Sequence, residues 1–329
     1  MFWRSGGADL NGCLITIVYD SEARNMNLLV TGVCGQLGYD VVNEGAGRGH
    51  RITGSDIRSE YSGIADGAAV TAVPYIQLDI SDETAVRDVF RRYRPDAVIH
   101  CAAWTAVDAA EESDNRAKVH AINAEGTENI ARAAKEFQAK MLYISTDYVF
   151  GGQGERPWKP DDECYMPLNV YGQSKLDGEL AVRKLLSKYF IVRTSWVFGM
   201  NGKNFIRTMI NLGKKKDSVR VVNDQIGTPT YSRDLARLLI DMIETEKYGC
   251  YHTTNEGGYI SWYELCTECY RQYGLRTQVI PVTTEEYGLT KAVRPKNSRL
   301  DKSKLTEAGF QPLPDWNDAV RRYLEEAKP

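Results

Sequence analysis

Tyr171 and Lys175 are a pair whose types and spacing suit proton chemistry. Tyr171-Gly172-Gln173-Ser174-Lys175 reads Y-x-x-x-K. On a helix, residues i and i+4 share a face, so phenol and ammonium reach the same spot. A free phenol titrates near ~10, and a neighbouring cation stabilises the phenolate and lowers that value. The spacing therefore predicts a tyrosine able to exchange a proton with a carbonyl or alcohol oxygen while a hydride moves. Tyr and Lys also lie one turn apart on ordinary helix surfaces, so the pair needs support. Ser145-Thr146-Asp147, closing the apolar run 141–145, supplies it. Hydroxyls at the carboxyl end of a parallel strand face the ligand crevice, which makes Thr146 the candidate to hold an oxygen beside Tyr171.

A second constellation is Gly32-Val33-Cys34-Gly35-Gln36-Leu37-Gly38, a G-x-x-G-x-x-G directly after the apolar run 27–31. Glycines let the backbone turn tightly and approach a pyrophosphate, and the helix that follows aims its N–H groups at the negative charge. Asp56 lies 24 residues after Gly32, near the spacing at which an acid bonds the adenosine ribose. An acid there favours NAD over NADP. Arg48, Arg51 and Arg58 are close in sequence and offer charge for a 2′-phosphate, so NADH and NADPH both stay open. Asp79, after the third run, is a similar candidate for the adenine edge.

These groups need a frame. Apolar runs at 27–31, 51–55, 75–78, 97–101, 141–145 and 190–194 alternate with helix-like stretches at 37–45, 83–93, 115–137 and 171–187. Strands separated by helices imply βαβ units. The expected fold is α/β, a Rossmann-type doubly wound parallel sheet over 26–199. Beyond residue 200 the pattern changes. Helices are expected at 203–212, 234–246, 261–273 and 316–327, with strands at 219–222 and 248–253. The region 200–329 then forms a smaller, interleaved C-terminal substrate lobe, with 217–254 returning to the sheet. Residues 1–25 precede the clean first strand and are expected to be an extension outside the fold.

Composition narrows the function. The 329 residues carry 41 Lys+Arg against 44 Asp+Glu, a balance that argues against a nucleic-acid surface. No apolar run approaches the ~18 residues that span a bilayer, so no membrane role is expected. Seven scattered cysteines suit a reduced, cytoplasmic protein. Cys266 and Cys269 form one C-x-x-C without a second pair or matching histidines, and read as two residues of an amphipathic helix.

At this point the chain resembles the extended short-chain dehydrogenases, and within them the dTDP-4-dehydrorhamnose reductase branch. The resemblance spans Met26 to the C-terminus. It is carried by MNLLVTGVCGQLG from Met26, AAWTAVDAAE from Ala102, INAEGT from Ile122, YISTDYVF from Tyr143 and PLNVYGQSKLDGE from Pro167. VRTSWVFG from Val192, NDQIGTPT from Asn223 and RPKNSRLD from Arg294 continue it. The resemblance implies hydride transfer from NADPH or NADH to the C4 ketone of dTDP-4-dehydro-L-rhamnose. Tyr171 would donate the proton, Lys175 would tune it and hold the ribose, and Thr146 would bond the reacting oxygen. Gly35–Leu37, Asp79, Ile80, Ala102, Ala103 and Trp104 would touch the cofactor. Asp147, Trp196 and Arg294 would touch the nucleotide-sugar. Trp104 departs from the smaller or more polar rings of relatives. No glutamates match the magnesium-binding acids of some relatives, so no required metal is expected, and a homodimer is left open. The competing implications are a nucleotide-sugar epimerase or 4,6-dehydratase, and a non-catalytic subunit like that regulating methionine adenosyltransferase. The dehydratases' Asp-Glu pair is absent after Thr146, where Asp147-Tyr148 stands, and the intact Thr146, Tyr171 and Lys175 set weighs against lost catalysis.

Overall fold

The computed structural model describes residues 25–327. The extension expected at 1–25 lies, apart from Asn25, outside the described residues. Seven strands form a parallel sheet: β1 (Asn27–Thr31), β2 (Arg51–Asp56), β3 (Tyr75–Gln77), β4 (Ala97–His100), β5 (Lys140–Thr146), β6 (Tyr189–Thr194) and a seventh, Gly249–His252. Their order is β3-β2-β1-β4-β5-β6 and then Gly249–His252. The order reverses between β1 and β4, the switch point beside which doubly wound sheets bind ligands.

Alternation of side chains along β1 builds both cores. Leu28 and Val30 pack with Val41 and Val42 of α1 (Gln36–Gly47) and with Leu235 and Leu239 of the helix Ser232–Ile243. Leu29 faces the other way, toward Val86 and Phe90 of α2 (Glu83–Tyr93). Covered on both faces, β4 is buried at all four residues, the mark of an internal parallel strand.

The stretch expected as one helix over 115–137 has more structure. A short α3 (Val107–Ala110) precedes α4 (Ser113–His120). One wider π-type turn, Ala121–Glu125, then leads into α5 (Gly126–Phe137). Such turns recur at functional sites, and this one carries Asn123 inward. The helix expected at 171–187 is α6 (Val170–Leu185), opened by Asn169, whose Oδ1 accepts from Gly172 N at 2.8 Å.

The helices Phe205–Gly213, Trp262–Tyr273 and Trp316–Ala327 share a separate core built on Ile206, Leu265, Val320 and Tyr323. Cys266 and Cys269 are buried in it. Of the segment 217–254, the helix Ser232–Ile243 and the strand Gly249–His252 lie against and within the large sheet. The strand expected at 219–222 does not return. Ser218–Val222 pairs instead with Gln278–Val282, because its burial alternates, with Ser218 and Arg220 exposed. A strand with one wet face cannot sit inside a sheet covered on both sides.

Candidate active site

The carboxyl ends of the parallel strands open onto one crevice of about 980 Å³. The candidate catalytic, cofactor and substrate residues named from the sequence line it, except the arginines Arg48, Arg51 and Arg58.

The glycine loop comes first. Gly32 has φ +74°, and a Cβ there would stand 2.6 Å from Ala102 N. A Cβ at Gly38 would stand 2.3 Å from Gly32 O. Gly32 N donates to Ser55 O at 2.7 Å, and Cys34 N donates to Asp56 Oδ2 at 3.0 Å. The loop is thus pinned to the end of β2, with Gly35, Gln36 and Leu37 facing the crevice as α1 begins. Only bare backbone fits here, which is the cradle a pyrophosphate requires.

Asp56 lies at the rim, as the spacing predicted. The three arginines do not gather around it. Arg51 starts β2, at the opposite end from the crevice, and Arg48 is paired with Glu44 and Asp241 behind α1. Arg58 is exposed beyond Asp56, outside the lining, with its carbonyl accepting from Tyr75 Oη. Their closeness was closeness in sequence, and strand direction separates them. On the far side of β2, Asp79 Oδ1 accepts from Ser81 N and Oγ, and Ile80 is buried beneath it.

Ala102, Ala103 and Trp104 follow β4. Asn123, buried in the wide turn, holds them: its Oδ1 accepts from Trp104 N at 2.7 Å, and its Nδ2 donates to Trp104 O at 3.0 Å and to Ser174 Oγ at 2.9 Å. One side chain therefore couples the wall after β4 to the helix bearing Tyr171 and Lys175. Beneath this wall His100 bonds Thr31 Oγ1 at 2.7 Å. Burial, then the nearby Lys175, pushes its pKa down to about 3, so the imidazole stays neutral.

Thr146, Tyr171 and Lys175 meet in the crevice, but their electrostatics differ from the sequence expectation. Burial raises the phenol of Tyr171 above its usual range, the Thr146 hydroxyl pulls it down, and Asp147 adds to the rise. Lys175 is buried, its Nζ 4.1 Å from the centroid of the Tyr143 ring. Burial brings its pKa down to about 7, against Glu179, which raises it. Tyr171 stays a neutral phenol at pH 7, the form that can donate a proton.

Thr146 Oγ1 donates to Asp147 Oδ1 at 3.0 Å and accepts from Tyr148 N at 3.2 Å. Burial lifts Asp147 to about 6, opposed by Ser298 and Thr146. Its Oδ2 has no hydrogen-bond partner among the described residues. Tyr148 stands edge-on to Tyr171, ring centroids 5.7 Å apart. Behind α6, Glu179 accepts from Ser145 Oγ at 2.5 Å and from Arg193 Nε at 2.8 Å. This fully buried pair ties α6 to β5 and β6.

The lobe supplies the opposite wall. Trp196 adopts φ +52°, a region that costs a non-glycine residue ~1–3 kcal/mol and marks functional sites. Its ring stacks on Trp262, centroids 3.8 Å apart at 18°. Arg294 reaches the lining from the stretch between the strand Gln278–Val282 and the helix Trp316–Ala327, its Nη2 donating to Asp108 Oδ2 at 2.7 Å. Asn123, Tyr148 and Trp262 were not anticipated as separate site residues. Asn123 and Tyr148 sit inside the quoted INAEGT and YISTDYVF stretches, which was the available signal.

A Rossmann-type sheet, a glycine cradle and a Tyr–Lys pair beside a strand-end threonine together define a short-chain dehydrogenase architecture. The model of the RmlD substrate binding domain matches residues 26–328. The chain is 42% identical over 260 residues to the dTDP-4-dehydrorhamnose reductase of Streptomyces griseus, covering 77% of this chain and 84% of that one. It is 38% identical over 299 residues to the spore coat polysaccharide biosynthesis protein SpsK of Bacillus subtilis, covering 91% and 97%. The crystal structure of Bacillus anthracis dTDP-4-dehydrorhamnose reductase in complex with NADP matches with a TM-score of 0.83 at 38% identity, covering 92% and 100%. The chain belongs to the RmlD family, the dTDP-4-dehydrorhamnose reductases.

Proposed function

We propose that this chain reduces the C4 ketone of dTDP-4-dehydro-L-rhamnose to the alcohol of dTDP-L-rhamnose, with NADPH or NADH as reductant. The observation that carries this reading is the meeting of Thr146, Tyr171 and Lys175 in the crevice that the glycine loop opens. The bare backbone of Gly32 and Gly38 fits a dinucleotide pyrophosphate, and Gly35, Gln36, Leu37, Asp56, Asp79, Ile80 and Ala102–Trp104 would complete its bed. When bound, the reduced nicotinamide supplies the hydride. Tyr171 gives its phenolic proton to the oxygen that becomes an alkoxide. Thr146 hydrogen-bonds the same oxygen and fixes it. Lys175, whose pKa burial lowers, holds the cofactor ribose. Asp147 Oδ2, buried and without a partner, accepts from a sugar hydroxyl. Trp196 covers the sugar, and Arg294 faces the nucleotide end.

The test mixes purified protein with NADPH or NADH and enzymatically made dTDP-4-dehydro-L-rhamnose and follows the reduced-nicotinamide absorbance. Wild type is expected to oxidise cofactor. Tyr171→Phe is expected to lose at least ~10²-fold in rate while still binding cofactor. No oxidation by wild type that demonstrably binds a cofactor sinks the assignment.

A further inference from the structure

Asp108, in α3, is saturated with bonds from one distant segment. Its Oδ1 accepts from Lys291 N and Ala292 N, each at 3.0 Å, and from Arg294 Nη1 at 3.1 Å. Its Oδ2 accepts from Arg294 Nη2 at 2.7 Å. Two further bonds tie the same strap, 291–294. Lys291 Nζ donates to Glu112 Oε1 at 2.8 Å, and Asn169 Nδ2 donates to Val293 O at 2.8 Å. Asn169 also caps α6, the helix of Tyr171 and Lys175. The strap therefore runs from α3 to the first turn of α6, and it brings Arg294 to the crevice.

A guanidinium offers five N–H donors in a rigid fork; Asp108 uses two of them, Nη1 also reaches Ala292 O at 3.4 Å, and the Tyr148 hydroxyl lies beside the group. Such a fork matches phosphate oxygens, and fixing it in advance removes the cost of ordering it on binding. The other cations of the lining suit an incoming diphosphate less. Lys175 is buried beside the Tyr143 ring, and Lys118 stands exposed on α4. Arg294 is partly buried, its side chain 21% exposed. We propose that Asp108 is a positioning residue that holds Arg294 in the orientation that binds the diphosphate of the nucleotide-sugar. This inference rests on the function proposed above for the same crevice.

The experiment is calorimetric titration of thymidine diphosphate into protein saturated with NADPH, using wild type, Asp108→Asn, Arg294→Ala and the double variant. Asp108→Asn keeps an oxygen for the two strap N–H groups and removes the charge and the second acceptor. It is expected to weaken thymidine diphosphate about 10-fold, with the thermal midpoint and NADPH affinity unchanged. In the Arg294→Ala background the same change is expected to have no further effect, because Asp108 acts through Arg294. In turnover, KM for the ketosugar rises while kcat stays within about 2-fold. Unchanged or tighter binding by Asp108→Asn, equal weakening in both backgrounds, or no binding of thymidine diphosphate by wild type would overturn the inference. Failure of ketosugar reduction with Asp108-dependent thymidine diphosphate binding intact strikes only the reaction assigned above.

Discussion

At the residue scale, protein surroundings set the protonation states that matter. The Y-x-x-x-K spacing correctly brought Tyr171 and Lys175 to one place, since i and i+4 share a helix face. Lys175 lies against the Tyr143 ring and is itself depressed to about 7 by burial, which no local pattern announces. Asp40 of α1 is a clearer test of such effects. Its carboxyl is pushed up to about 7, chiefly by burial, while the Ser232 hydroxyl, which donates to its Oδ2, and Arg233 pull it down. The folded chain holds this proton more tightly than the unfolded chain, where an aspartate titrates near ~3.9. The stability it contributes is present below about 4 and is lost as pH rises through about 7. Asp40→Asn removes that loss, so its thermal midpoint relative to wild type should climb between pH 5 and pH 8, by at most a few degrees. A difference independent of pH would show that Asp40 does not titrate in this window.

At the element scale, the glycine loop and the buried pair behind α6 make opposite kinds of prediction. Gly38→Ala places a Cβ 2.3 Å from Gly32 O, so the loop must open. NADPH affinity, followed by fluorescence titration, should fall by about 10-fold or more, the cost of losing one or two charge-assisted backbone contacts. Unchanged affinity would mean the loop does not cradle the pyrophosphate. Arg193→Met strands Glu179 in a site with no exposure, and a broken buried ion pair costs ~3–5 kcal/mol. Glu179→Leu with Arg193→Met should recover part of that loss in denaturant unfolding, because no fully buried charge is stranded and Arg183, the other partner of Glu179, is partly exposed. A double variant less stable than Arg193→Met would contradict this account of the pair.

The same scale shows what was legible. The six strands that 26–199 gives the large sheet could be read to within a residue or two because each is a short apolar run bounded by turns, buried throughout at β4 and half-buried at the edge strand β3. The wide turn Ala121–Glu125 could not, since its extra residue shifts the phase of the helical pattern only once, in a short stretch of mostly small and polar residues. The strand Gln278–Val282 was missed because Pro281 and half-exposed neighbours weaken its pattern, and its partner Ser218–Val222 lies 60 residues earlier. Asp108 was invisible as a latch because its partners are 183 to 186 residues away.

At the scale of the whole molecule, two units share one crevice: the sheet with a core on each face, and the lobe with its own. The sheet brings the glycine loop, Thr146 and Lys175 to its carboxyl edge, while the lobe brings Trp196 and Trp262, and the strap 291–294 brings Arg294. The chain crosses between these units several times, so the two walls are set by one cooperative fold. That arrangement supports a reaction between two bound molecules, one per wall. The central claim is hydride transfer across this crevice to C4 of the sugar. The most direct measurement uses NADPH or NADH carrying deuterium at the transferring position of the nicotinamide, with dTDP-4-dehydro-L-rhamnose, and locates the label by NMR of the product. The account predicts deuterium at C4 of dTDP-L-rhamnose with wild type and its near absence with Tyr171→Phe. Label at another carbon, or cofactor oxidation without label in the sugar, would contradict it.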